Sequence, residues 1–277
     1  MNFNMPFDKL FLVSLYETTE AQLNAQAAVF GLSPKNLEKY YVPEEKYDIK
    51  KGAPMSNVFE RFLLSLQNRQ NLSSSIRFHF HISAIRKKMF DFDVKKIASK
   101  YSHENAEKTI YDSLLPICQW NPKADSPRDW CRGFIEGARQ LAKFEDSKQM
   151  FIEIGNVEPS DMVTYWLKNY RIKGMGYALT CDFLKEIGFD LPKPDRHIKL
   201  LIDKLFPKKE DEIRDDKAYV IIFLTIVEQL RLLKTQNLTA YKLDKMIWLV
   251  CTNSFYLDSI QSSFRENLVS KILSVKA

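Results

Sequence analysis

Two glycines one residue apart, Gly174-Met175-Gly176, stand between two apolar-periodic runs, and Pro194-Asp195 follows them. In a chain of 277 residues with only eight glycines, that pair constrains the backbone more than any other feature. Upstream, Pro159-Ser160-Asp161 reads as a helix start with Ser160 as N-cap candidate, and Met162, Trp166, Leu167 and Tyr170 recur at helical spacing. Downstream, Tyr177 to about Ile187 reads as a second helix stopped by Gly188. Lacking a Cβ, Gly174 and Gly176 can take positive φ and let another backbone come close. The first turn of the second helix leaves N–H groups unpaired at the positive end of its dipole, and a phosphate suits them. Arg171 and Lys173 add charge beside it. Helix, glycine turn, helix and then an acid is a layout that grips a phosphodiester backbone. Alone, a Gly-x-Gly is more often a plain turn.

Further segments narrow the choice. Ile172-Lys173-Gly174-Met175-Gly176 resembles the hairpin Leu-Pro-Gly-Val-Gly of the helix-hairpin-helix DNA glycosylase superfamily, the group with the endonuclease III fold. Asp195-Arg196-His197-Ile198 is similar to the segment carrying that family's essential aspartate, and Leu63-Leu64-Ser65-Leu66-Gln67 to its Leu-Leu-Ser-x-Gln segment. The resemblance runs over about residues 56 to 200. It implies that Asp195 is the catalytic acid and that Gln67 wedges into the gap left by an extruded base. DNA contacts are expected from Arg171, Lys173, Gly174 and Gly176 at the hairpin and from His197 beside the acid, and Asn68, Arg69 and Gln70 are candidates to read the orphaned base, since their amides and guanidinium fit base edges. Strand-cutting members carry a lysine two residues past the second glycine; here that residue is Ala178, which cannot form an imine. The implied activity is therefore monofunctional, leaving an abasic site without AP-lyase cleavage. Lys193-Pro194 before the acid is unlike the commonest repair subfamilies.

The chemistry needs one fixed carboxylate. Departure of the base pushes positive charge onto the deoxyribose, and an ionised Asp beside C1′ stabilises that state and orients the capturing water. The nucleotide must first leave the stack. Trp120 and Trp130, flanking Asn121 to Pro127, are candidates to floor a base pocket, with Tyr177 and Trp248 as further walls. Each residue also has a structural reading: Asp195 as a helix cap, Gln67 as an ordinary surface amide, His197 as a packed histidine, and Tyr177 and Trp248 as core. The base excised stays open, between repair and defence against phage DNA carrying hypermodified bases such as glucosylated hydroxymethylcytosine. The alternative is a non-catalytic helix-hairpin-helix protein that only binds DNA.

Charge is concentrated. Residues 67–100 hold eight Lys/Arg (Arg69, Arg77, Arg86, Lys87, Lys88, Lys95, Lys96, Lys100) against Asp91 and Asp93, and the chain's net charge of +6 equals that of this window. Such a face suits a polyanion, here double-stranded DNA, and is equally compatible with simple solvation. Cys118, Cys131, Cys181 and Cys251 are scattered, which argues against a zinc ribbon and against the four-cysteine iron–sulfur loop of some family members. His79 and His81, two apart, lack ligand spacing for a helix. No metal or other cofactor is expected beyond, at most, a structural monovalent cation at the hairpin. No signal peptide is evident at Met1 to Phe7, and the longest apolar stretch, Ala218 to Val227, is too short for a bilayer. A cytoplasmic monomer without membrane contact is expected.

Apolar spacings of three and four predominate, as in Phe59, Phe62, Leu63, Leu66 and in Phe134, Ile135, Ala138, Leu141, and strand-like alternation is scarce. The expected fold is all-α, with two helical lobes and the active-site cleft between them. Residues 1–55 are expected to pack with a C-terminal lobe, 195–277, that begins at Asp195. Residues 56–194 form the central domain, with the helix-hairpin-helix at about 160–187.

Overall fold

The computed structural model describes residues 8–68, 73–208, 212–258 and 260–261. The described residues are all-α apart from one two-residue antiparallel pairing, Ser254–Phe255 with Ile260–Gln261. In chain order the helices are α1 (Lys9–Val29), α2 (Pro34–Leu37), α3 (Met55–Gln67), α4 (Ser73–Ile76), α5 (Ile82–Lys88), α6 (Val94–Lys100) and α7 (Ala106–Cys118). There follow α8 (Ser126–Leu141), α9 (Ser147–Gly155), α10 (Pro159–Asn169), α11 (Tyr177–Glu186), α12 (Arg196–Leu205), α13 (Asp216–Leu233) and α14 (Ala240–Thr252). Among the described residues no helix is long and apolar enough to cross a membrane.

The chain forms two compact units, one of residues 43–189 and one joining 1–42 to 190–277. In the second of these, α1 lies against α13 and α14. Its core gathers Leu12, Leu15, Leu23, Ile202, Phe223, Val227, Leu243 and Met246, all buried. Side-chain caps start its helices: Asp215 accepts from Ala218 N at 2.8 Å and Thr239 from Lys242 N at 3.0 Å. Asp190 ties the unit's second segment in place, accepting from Arg231 at 2.7 Å and from Tyr241 N at 3.0 Å.

The unit of residues 43–189 is built around α3, whose Phe59 and Phe62 face Phe92, Phe134 and Phe183 at 5.0–5.8 Å between ring centroids. It begins at Pro43, earlier than the break before residue 56 suggests. Two contacts are the reason: Tyr47 Oη donates to Glu60 of α3 at 2.6 Å, and Ile49 N donates to the carbonyl of the distant Ile187 at 3.0 Å. Helix α8 comes unusually close to α3. A Cβ on Gly137 would lie 2.2 Å from Phe62 Cε1, and one on Gly133 would lie 2.8 Å from Leu66 Cδ2. The spacing Gly133-x-x-x-Gly137 therefore opens one face of α8 to the aromatic core.

Candidate nucleic-acid interface and carboxylate

The hairpin lies within the 43–189 unit. Helix α10 starts at Pro159, one residue before Ser160, so Glu158 rather than Ser160 occupies the N-cap position. The chain leaves α10 at Tyr170 and turns through Ile172 to Met175, whose N–H donates to the Ile172 carbonyl at 3.2 Å. Gly174 sits at φ +88, a conformation that a side chain would strain. Gly176 does not share it: at φ −80 and ψ −179 it is extended and forms the N-cap of α11 without a side-chain cap. A Cβ on Gly176 would meet nothing within 4 Å. The second glycine thus leaves open space outside an uncapped helix N-terminus, which is where an anion is stabilised by the dipole.

Helix α8 holds the loop. Glu136 accepts from Lys173 N, Gln140 Nε2 donates to the Arg171 carbonyl at 3.5 Å, and the Lys173 carbonyl lies 3.0 Å from the Cβ position of Gly133. The side chains of Arg171 and Lys173 are exposed, with Lys173 Nζ 3.8 Å from Asp129. Helix α11 is locked to α3 by Ser65 Oγ, which donates to Asp182 at 2.9 Å, and by the Arg61–Asp182 pair at 3.5 Å. Leu66 and Lys173 thereby meet across the same glycine, so the C-terminal end of α3 and the hairpin share one end of this unit.

The residues around that end differ from the sequence expectation. Gln67 is buried at 4% exposure, and its Oε1 accepts from His79 N at 3.3 Å and lies 3.0 Å from His79 Nδ1. It is not a projecting wedge, because its amide is committed to the chain that follows. Asn68, the C-cap of α3, is exposed; Arg69 and Gln70 lie outside the described residues. Trp120 and Trp130 are core side chains and not the floor of an open pocket. Trp120 stacks on Tyr111 at 5.5 Å and donates Nε1 to the Ile76 carbonyl at 2.6 Å, while Trp130 packs on Phe78 at 5.4 Å and Phe134 at 5.6 Å. Tyr177 is half-buried at the first position of α11, next to Ala178. Sequence reasoning missed Gly133, Glu136 and Gln140, for which the Gly-x-x-x-Gly spacing was the available signal.

Asp195 lies in the other unit, as the N-cap of α12. Its Oδ1 accepts from His197 N at 2.8 Å and Ile198 N at 3.1 Å, and Oδ2 makes no hydrogen bond among the described residues. The capping role and a free oxygen coexist in one carboxylate. Cys251 of α14 feels it: burial first, then the Asp195 charge, pushes its thiol up to about 12. Trp248, one helical turn before Thr252, packs edge-on to Tyr256 at 5.8 Å and is partly buried against this unit's core. His197 is half-buried. Among the described residues, no group of three or more His, Cys, Asp or Glu side chains is placed to hold a metal.

No protein-family model matches the chain, and no curated protein matches it. The fold is similar to the crystal structure of the 8-oxoguanine DNA glycosylase of Thermotoga maritima, with a TM-score of 0.51 and 14% sequence identity over 85% of this chain and 98% of that one. At that identity the likeness is one of fold.

Proposed function

We propose that this protein is a monofunctional DNA N-glycosylase, a cytoplasmic monomer that acts on double-stranded DNA and leaves an abasic site. The observation that carries the reading is the hairpin itself: Gly174 at positive φ, then Gly176 extended and open to solvent at the uncapped start of α11. That geometry offers backbone N–H groups and a helix dipole to a phosphate without a side chain in the way. The fold likeness to a DNA glycosylase supports it.

In this reading Asp195 supplies the carboxylate. One oxygen is held rigid by two backbone N–H groups, and the other is left for the positive charge that develops on the sugar and for the attacking water. No cofactor is required by that chemistry. Ala178 supplies no amine, so no imine forms and the strand stays intact.

A panel of duplexes, each with one oxidised, alkylated, mismatched or glucosylated base, tests the proposal, with 8-oxoguanine at its head because of the fold neighbour. Strand breaks appear only after alkali, and borohydride traps no covalent adduct. Breaks before alkali overturn the monofunctional assignment. A second reading, a DNA-binding protein without catalysis, is favoured by the capping role of Asp195 alone; it predicts no alkali-labile site with any duplex.

A further inference from the structure

Three successive residues that carry side chains, Phe90, Asp91 and Phe92, hold left-handed backbone at φ 52, 54 and 62, where a Cβ is rarely tolerated. The turn is fixed at both ends. Met89 and Phe92 are fully buried, with Phe92 edge-on to Phe59 at 5.8 Å, and Phe92 N donates to the Met89 carbonyl at 2.9 Å. Asp93 N donates to the Phe90 carbonyl at 3.0 Å, and Asp93 Oδ1 starts α6 by accepting from Lys95 N at 3.1 Å and Lys96 N at 3.0 Å. Between these anchors Phe90 is 38% exposed. The ring of Tyr101 lies 6.3 Å from it and is tilted by 51°, so the two rings do not stack. A single exposed aromatic residue is ordinary. One held outside by a run of strained residues is a feature with a use.

Its surroundings name the partner. Phe90 lines a surface groove of about 610 Å³ with Asp93, Lys95, Lys96, Ser99 and Lys100. The three lysines stand on the exposed face of α6, whose Val94 and Ile97 are buried. Lys95 Nζ donates to the Glu145 backbone carbonyl at 3.3 Å, Lys96 Nζ lies 3.3 Å from Asp93, and Lys100 makes no ion pair among the described residues. Three cations against one carboxylate leave the groove positive. It is also separate from the hairpin. At about 3.6 residues per turn, Gly133, Glu136 and Gln140 share the stripe of α8 that holds the hairpin. Phe134, 6.5 Å from Phe92 ring to ring, and Arg139, which donates to the Tyr101 carbonyl at 2.7 Å, flank the side of α8 on which α6 packs. The groove therefore lies on a side of α8 away from the hairpin.

We propose that this groove is a binding site for single-stranded nucleic acid, with a base stacked on Phe90 and the flanking phosphates held by Lys95, Lys96 and Lys100. A positive groove attracts any polyanion, and the ring decides among them. In a duplex the base faces are covered by their neighbours, so a surface ring has nothing to stack on. A single strand offers phosphates and open base faces together, and stacking tolerates any sequence because every base has a π-face. The site needs no chemistry from Asp195 and no phosphate at Gly176, so it stands or falls apart from the glycosylase reading.

The test is fluorescence anisotropy of the full chain with a labelled oligothymidine of about 12 nucleotides, within the span of such sites, and with a labelled, fully paired duplex. Phe90→Ala loses about tenfold in affinity for the oligothymidine and about twofold or less for the duplex, the scale of one lost stacking contact. Phe90→Trp keeps the wild-type affinity. Lys96→Gln combined with Lys100→Gln, on the solvent face of α6, makes the log–log salt dependence of oligothymidine binding shallower by about 1.4, the value for two phosphate contacts on a single strand. Gly176→Ala leaves oligothymidine affinity within about twofold. No binding of oligothymidine, equal loss on both ligands in Phe90→Ala, or a loss in Gly176→Ala as large as in Phe90→Ala overturns the inference. So does polyglutamate that displaces the labelled strand as well as unlabelled oligothymidine does, which marks an acidic-peptide site. If Phe90→Ala melts more than about 5 °C below wild type, the lysine pair decides, and an unchanged salt slope overturns the inference. Base release from a duplex by a wild type that ignores oligothymidine sinks the groove and spares the glycosylase reading.

Discussion

The hairpin carbonyl of Lys173 stands 3.0 Å from the place a Cβ on Gly133 would take. The same Cβ would lie 2.8 Å from Leu66 Cδ2. Gly133→Ala therefore forces the hairpin or the end of α3 outward, at about 1–3 kcal/mol of overpacking. Urea denaturation measures the loss, and duplex DNA binding weakens with it. A variant with wild-type stability and binding shows that the loop moves freely and that its seat on α8 is unimportant.

Gly176→Ala separates binding from folding. Its backbone is extended and its surroundings are open, so the methyl group is accommodated and stability changes by no more than about 1 kcal/mol, the scale of an altered N-cap. A phosphate seated on α11 loses its closest approach, and affinity for duplex DNA drops by about tenfold, the scale of a lost charge-assisted contact. Filter binding at fixed salt reads this directly; unchanged affinity removes the hairpin from the interface.

Asp195 carries two roles that two substitutions divide. Asn caps helices as well as Asp does, so Asp195→Asn keeps the α12 start and stays within about 0.5 kcal/mol of wild type, whereas Asp195→Ala loses about 1 kcal/mol. Both variants bind DNA and neither releases a base. Base release by Asp195→Asn at the wild-type rate shows that the carboxylate is a cap only.

Cys251 reports on the same carboxylate. With its thiol pushed up to about 12, it is protonated at pH 8 and reacts slowly with thiol reagents in the native protein. Asp195→Asn removes the charge, brings the thiol pKa down and speeds modification, by up to about tenfold for one pKa unit. The other cysteines are buried, so the rate belongs to Cys251. An unchanged rate places the charge out of reach of the thiol.

Local signals in the chain were readable and long-range ones were not. The two glycines mark the hairpin, and Pro194-Asp195 marks the start of α12, because caps and turns are decided within a few residues. That only Gly174 needs positive φ depends on how the loop seats on α8, forty residues away in sequence. Gln67 looks like a surface amide beside polar neighbours, and only the return of the chain at His79 buries it. Trp120 and Trp130 flank a proline-containing loop as a pocket floor would, yet their partners Tyr111, Ile76 and Phe78 lie up to 52 residues upstream. The early start at Pro43 follows from Tyr47 reaching Glu60 and Ile49 reaching the carbonyl of the distant Ile187.

One unit is assembled from both ends of the chain, with α1 packed on α13 and α14. During synthesis α1 emerges well before its partners, at roughly 5–20 residues per second. For that interval its apolar face has α2 beside it but lacks α13 and α14, while residues 43–189 already have their partners. The ribosome thus completes the interrupted unit last, and a nascent chain stalled before α13 leaves the face of α1 that these helices cover exposed.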